Sequence, residues 1–283
     1  MYRQMILDKL NNIEEVPTLL TIAAEVERLT HNPDTSADDI GKVIKLDPAL
    51  TGKVLKVANS AVYAGTQRIV SLQQAISRLG FAEIRRLTLT IAFLNSFKSM
   101  FVDYKKFWTH SITTAFLALY LEKLSGNEQK SDRLFTCGIL HDIGVLILDQ
   151  YFTNMYKKVF EIAANKRFDL ELVEEKILGI THAEIGAFLL NKWKIPEQII
   201  DVVEYHHHPQ HAKLSVRDAK IVYLANFISN NRGIDNGTGF FPEGFYDDIF
   251  SDLKLNVESL PELITMVESE VDKAKQILKF GGK

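Results

Sequence analysis

Apolar residues along this chain recur at helical rather than strand spacing. Leu19, Leu20, Ile22, Ala23, Val26 and Leu29 share one helical face, and His31, Asn32, Pro33 and Asp34 then read as a turn. Ser36, with Asp39 three residues on, is an acceptor-rich N-cap opening a stripe of Ile40, Val43 and Ile44. Asp47-Pro48 reads as N-cap and first helical residue before Leu50, Val54, Leu55 and Val57, with the helix ending near Asn59-Ser60. Ser71 can cap a helix that stops at Gly80, and Phe81–Phe97 is helical and unusually apolar. Further on, helices are predicted over about 105–125, 132–149, 151–165, 170–178, 182–193, 196–206 and 216–230. Ser259-Leu-Pro-Glu262 resembles a capping box opening a last helix through Leu278. Residues 231–257 read as a long loop with one short helix near 244–253. The aromatic cluster at 240–246 is read as packing for the C-terminal segment or as a docking patch. No stretch alternates with period two, so the expected class is all-α. The expected organisation is an N-terminal helical region (1–103), a helical core (104–230) and a C-terminal loop and helix packed on that core (231–283).

Composition adjusts this picture little. Of 283 residues, 46% are hydrophobic and 24% charged, which excludes a wholly disordered chain. Glycine and proline together are 22 of 283, about 8%, against roughly 12% in average usage, which favours helices. The longest stretch free of Asp, Glu, Lys and Arg, Phe107–Leu121, is too short to cross a bilayer and contains His110. No membrane insertion is expected, nor does the N-terminus look like a secretory signal. A net charge of -3 gives no general drive toward nucleic acid. The single cysteine, Cys137, excludes an internal disulfide and suggests a reducing, cytoplasmic setting. It reads as a small core residue, because no basic neighbour is placed to activate it.

The informative residues are eight histidines. His110 interrupts FWTHSITTAFLALYL. His141-Asp142 separate CGIL from IGVLIL. His182 opens HAEIGAFLLNKW, and His206 and His207 end IIDVVEYHHHP. Imidazoles from several helices around one carboxylate could close a shell around a divalent cation. Such a set suits Fe, Mn, Zn or Ni better than Mg or Ca. The same residues could equally form a closed polar network without metal.

The order of these pieces resembles the HD superfamily of metal-dependent phosphohydrolases, and residues 141–207 look most like its HD-GYP branch. The front half, DPALTGKVLKVANSAVYAG followed by SLQQAISRLG, resembles the HDOD family. The likeness covers roughly residues 15–230. It implies a helical N-terminal region packed on a degenerate HD-like core in a bacterial signalling or regulatory module. It also implies candidate metal ligands at His110, His141, Asp142, His182, His206 and His207, functional or vestigial, and assigns no catalytic residue. His31, His208 and His211 fall outside the pattern, and Asn59 and Ser60 are family hallmarks read as architectural.

Two positions depart from hydrolytic relatives. The lysine that often follows HDIG is Val145, and the aspartate expected on the last core helix is Asn226. The glycine-rich loop of HD-GYP proteins is absent after the histidine pair. The expected function is therefore regulatory, binding a protein partner or small signalling ligand without turnover. The alternative is a metal-dependent phosphohydrolase or phosphodiesterase. With no receiver, cyclase or kinase-like region in view, input and output are expected to come through other molecules. Arg85, Arg86 and Lys56 read as a solvated face.

Overall fold

The computed structural model describes residues 2–13, 18–30, 32, 34–63, 65, 67–126, 133–237, 248–255 and 260–282. All regular structure among them is helical. The helices are α1 (Tyr2–Asn11), α2 (Thr18–Thr30), α3 (Ala37–Ile44), α4 (Pro48–Ala58), α5 (Leu72–Leu79), α6 (Phe81–Ser96), α7 (Tyr104–Leu124) and α8 (Arg133–Leu140). They continue with α9 (Ile143–Tyr151), α10 (Thr153–Lys166), α11 (Leu170–Leu178), α12 (His182–Lys192), α13 (Glu197–Glu204), α14 (Val216–Asn231), α15 (Asp248–Asp252) and α16 (Leu260–Gly281). The backbone falls into two compact units, one of residues 1–14 and 98–271 and one of 15–97 and 272–283.

In the 15–97 unit the predicted caps form. Ser36 and Asp39 make a reciprocal capping box, and Asp47 accepts the Leu50 N–H at 2.8 Å. Asn59 closes the end of α4, donating to the Leu55 and Ile69 carbonyls and accepting the Ile69 N–H, each at 2.8 Å. Its expected architectural role is thus realised, whereas the buried Ser60 Oγ makes no hydrogen bond. α6 is buried from Ile84 through Leu94 against α2, α4 and α5. That burial includes Arg85, which is 1% exposed, so the expected solvated face is corrected there: Arg85 lies on the inner side of α6. Arg86 pairs with Glu83 on the same helix at 2.8 Å, and of the three only Lys56 is exposed.

The other unit is built around α7, whose stretch from His110 to Ala118 is wholly buried. α8 and α14 pack on α7, while α12 packs on α9 and α13. The predicted helix over 132–149 is in fact two, α8 and α9, with His141 and Asp142 in the turn between them. His206 and His207 likewise follow the last residue of α13. An apolar run cannot reveal such a break, because both halves are buried and the interruption is only two residues long. The sequence pattern did not single out α1, which buries only Ile6 and Leu10, too few residues for a periodic signal. One window, Arg133–Tyr151, is apolar and long enough to cross a membrane, but 89% of it is buried inside the protein. Cys137 is buried, as expected of a core residue. His31, Pro33, Ser259 and the aromatic cluster at 240–246 lie outside the described residues.

Candidate metal centre

Two glycines set the approach of the helices that carry the histidines. A Cβ on Gly138 would lie 2.5 Å from the Ala115 Cα, so α8 runs directly against α7 and delivers His141 beside His110. A Cβ on Gly144 would lie 1.9 Å from the His182 carbonyl oxygen, so only glycine lets α9 meet the start of α12. His182 is fixed there as the first helical residue behind Thr181, which forms a capping box with Glu184. Asp142 sits at φ -97, ψ 10, the sparsely populated bridge region that often carries functional side chains.

All six expected ligands come together, and one carboxylate joins them. Asp142 Oδ2 lies 3.1 Å from His141 Nε2 and 3.5 Å from His110 Nε2. Asp142 Oδ1 lies 3.4 Å from both His182 Nε2 and His206 Nε2. His207 Nε2 is 3.0 Å from His182 Nε2, and His110 Nε2 is 3.2 Å from His141 Nε2. His110, His141 and His206 are fully buried, Asp142 and His182 almost so, and His207 is half-buried. His208 points elsewhere, pairing with Glu171 at 3.0 Å, and His211 is exposed.

The outer nitrogens fix the chemistry of the inner ones. Nδ1 of His110, His141 and His206 donates at 2.7 Å to the carbonyls of Ile234, Gly138 and Val203. A carbonyl only accepts, so each Nδ1 carries the proton and each Nε2 turns a lone pair inward. His182 Nδ1 lies 2.7 Å from Glu174 Oε2, which also accepts the His182 backbone N–H at 2.8 Å. Glu174 Oε1 accepts the Tyr156 hydroxyl at 2.5 Å. Burial pushes the His182 pKa down, but the charge of Glu174, its hydrogen bond with His182 Nδ1–H and the facing Asp142 carboxylate hold it well above the ordinary 6.5. Burial would raise Asp142, but the facing imidazoles, His141 first, hold it well below the usual carboxylate range. Burial lowers His141 and, together with repulsion from His206, lowers His207 further. Burial, followed by the Glu174 charge, raises the Tyr156 hydroxyl well above 10.

Donors are therefore short inside the cluster. The Asn236 amide, which donates to Asp142 Oδ2 at 2.8 Å, is the inward donor fixed by this network. His206 Nε2 and Asp142 Oδ1, both buried, make no hydrogen bond despite their 3.4 Å separation. A buried polar atom left in this condition costs roughly 1–3 kcal/mol. A divalent cation would satisfy both. Two ligands each about 2.0–2.1 Å from one ion lie about 3.0 Å apart at a right angle and about 3.4 Å apart at a tetrahedral one. The six closest contacts among the inward atoms, at 3.0–3.5 Å, match these edges, and the atoms of each group all lie within 4.8 Å of one another. The donor set fits a cation in two groups: Asp142 with His182, His206 and His207, and Asp142 with His110 and His141.

A family model for the HDOD domain matches residues 16–209. This chain belongs to the HDOD family. An uncharacterized protein of Treponema pallidum (strain Nichols) is 29% identical over 202 residues, 71% of this HDOD chain and 39% of the relative. A candidate signal transduction protein of Marinobacter aquaeolei VT8 superposes with a TM-score of 0.80 at 26% identity, over 95% of this chain and 60% of its own. This HDOD chain thus spans only part of the length of both relatives. A candidate phosphohydrolase of Shewanella amazonensis SB2B shares the helical fold, with a TM-score of 0.72 at 23% identity over 96% of this chain and 97% of its own.

The HDOD motif leads to the six inward ligands but not to the residues that orient them. Glu174 was within reach of sequence reasoning, because it falls between Val173 and Leu178 on the buried face of a correctly predicted helix. A carboxylate on an apolar face signals a buried partner. Ile234 and Asn236 carry no such signal, since they act from an irregular segment through one carbonyl and one amide. Val145, where hydrolytic relatives often carry lysine, is fully buried. The Asn226 carbonyl accepts from Asn230 Nδ2 at 2.8 Å.

Proposed function

We propose that this HDOD protein is a regulatory module whose histidine cluster holds a divalent cation as part of its folded architecture, and that it acts by binding a partner or small signalling ligand without turnover. The observation that carries the cation is the buried pair of acceptors, Asp142 Oδ1 and His206 Nε2, which face each other with no hydrogen bond. Imidazole dominance favours Fe, Mn, Zn or Ni over Mg or Ca. When bound, the ion would supply positive charge and Lewis acidity at Asp142. The chain's own residues do the rest. Gly138, Val203, Ile234 and Glu174 hold the rings in one tautomer, and Asn236 restrains the carboxylate.

Three features support a role without hydrolysis. Among the described residues, Asp142 is the one carboxylate in the candidate ligand groups. No lysine stands at position 145 to receive a phosphate. Ile234 and Asn236 hydrogen-bond directly to two of the ligands and so cover that side. The signalling assignment of the Marinobacter relative agrees with this reading. The test is metal analysis of untagged protein, followed by a phosphodiester assay with added Mn or Fe. Bound metal without turnover is the expected result. Turnover that Asp142→Ala abolishes would establish the alternative, a metal-dependent phosphohydrolase.

A further inference from the structure

Asp142 divides the cluster into two halves that are not equivalent. On its Oδ1 side stand three imidazoles, so the half offers four donor atoms: Asp142 Oδ1 and the Nε2 atoms of His182, His206 and His207. Two of those four, Asp142 Oδ1 and His206 Nε2, are the buried atoms that make no hydrogen bond. On its Oδ2 side stand His110 and His141, so among the described residues that half offers three donor atoms. One of the three is already engaged, because Asn236 Nδ2 donates to Oδ2 at 2.8 Å. The His110 ring on the same side is anchored by the Ile234 carbonyl, from the same short segment as Asn236.

An amide N–H aimed at a carboxylate oxygen places partial positive charge where a second cation would draw electron density. It also uses one lone pair of the one anionic donor which that half has among the described residues. The four-donor half suffers neither effect and can complete a tetrahedral set from protein atoms alone. We infer that this chain takes a single ion, in the Asp142–His182–His206–His207 half, and that Asn236 keeps the His110–His141 half closed to a second. Asn236 is thus a positioning residue that sets cation stoichiometry. This rests on the cation reading above and goes beyond it, because that reading is indifferent to whether one ion or two are held.

The test uses the metal-stripped full chain titrated with Co(II), read by bound-metal analysis and by the visible ligand-field spectrum. Wild type should saturate at one ion per chain with a four-coordinate spectrum. His206→Ala should weaken that ion at least about 100-fold, more than loss of an orienting partner usually does, whereas His110→Ala should weaken it less than about 10-fold. Asn236→Asp replaces the donor by a carboxylate and should raise the stoichiometry to two. Circular dichroism checks that each variant is folded, and the His110→Ala against His206→Ala contrast keeps the test decisive if Asn236→Asp does not fold. Wild type binding two ions of similar affinity, or equal losses in the two histidine variants, would overturn the single-ion inference while leaving the cation reading intact. Wild type binding no Co(II), Zn(II) or Mn(II) would overturn both.

Discussion

Glu174 is the residue on which the geometry of the cluster can be tested most sharply. Its carboxylate is fully buried and accepts three donors: the His182 backbone N–H at 2.8 Å, His182 Nδ1–H at 2.7 Å and the Tyr156 hydroxyl at 2.5 Å. Glu174→Ala leaves all three buried and unanswered. At roughly 1–3 kcal/mol per stranded group, and allowing for partial relaxation, the cost is about 4 kcal/mol. Breaking a buried ion pair by removing one partner gives a similar figure, about 3–5 kcal/mol. Either value is a large share of the roughly 5–15 kcal/mol that a folded domain has in total. Glu174→Gln keeps an oxygen for His182 and turns its amide toward the Tyr156 oxygen, which can accept. It loses the charge but keeps the count of hydrogen bonds, so about 1–2 kcal/mol is expected. Urea denaturation of metal-free protein measures both variants. In the same preparations, competition with a chromophoric chelator should show Glu174→Gln binding Zn(II) about 10–100-fold more weakly, because His182 loses the anion that orients it. The reasoning fails if Glu174→Ala lies within 1 kcal/mol of wild type, which would mean the three donors find other partners. It also fails if Glu174→Gln is as costly as Glu174→Ala, because charge alone would then outweigh the network.

Other expectations follow from individual contacts. Gly144→Ala must drive a methyl group into the His182 carbonyl and should cost about 2–3 kcal/mol in chemical denaturation; Gly52→Ala, inside α4 with nothing within 4 Å of the new Cβ, should instead stabilise by about 0.5–1 kcal/mol, and matching signs would refute the steric argument. The carboxylate of Asp201 accepts the N–H groups of Lys213, Leu214 and Ser215 at 2.8–3.1 Å, so Asp201→Ala should lower the thermal midpoint by several degrees, a loss of about 2–4 kcal/mol, and an unchanged midpoint would deny it a structural role. The Glu171–His208 pair should depend on pH from both sides. Burial would raise Glu171, but the hydrogen bond from His208 brings it down to about 2, so its contribution is full above its ordinary 4.5 and fades as pH falls. The same hydrogen bond raises His208 above 6.5, so its contribution is full below 6.5 and is lost as pH rises through the raised value. His208 is half-exposed, so a double-mutant cycle should give at most about 1 kcal/mol of coupling near pH 6 and less once His208 is neutral at high pH, and coupling that does not fall as pH rises would contradict the assignment.

Much of the helical framework could be read from local chemistry. Ser36, Asp47 and Ser71 announced helix starts because an N-cap needs only a short side chain and the next turn of its own backbone. The six candidate ligands were legible for a related reason: a polar residue on an apolar run is costly, and a series of them in a family-specific order points to one destination. The errors share a physical origin. His141 and Asp142 were expected on one continuous helix, yet they occupy the turn between α8 and α9. A buried turn and a buried helix carry the same apolar flanks. Arg85 was assigned to a solvated face because its charge suggested water, whereas α6 buries it.

Side-chain spacing along one chain therefore set the all-α class and the helix caps, since each of these depends on neighbours within a few residues, and the family motif supplied the candidate ligands. The direction of the ligands depended on packing. Gly138 and Gly144 matter only because Ala115 and the His182 carbonyl stand where a Cβ would be. The inward lone pairs exist only because four outer partners, distant or at helix ends, take the Nδ1 protons. Asn236 reaches Asp142 across 94 positions of sequence. A hydrogen-bond network of this kind is a property of positions in space, and no local periodicity encodes which irregular segment will supply its last donor.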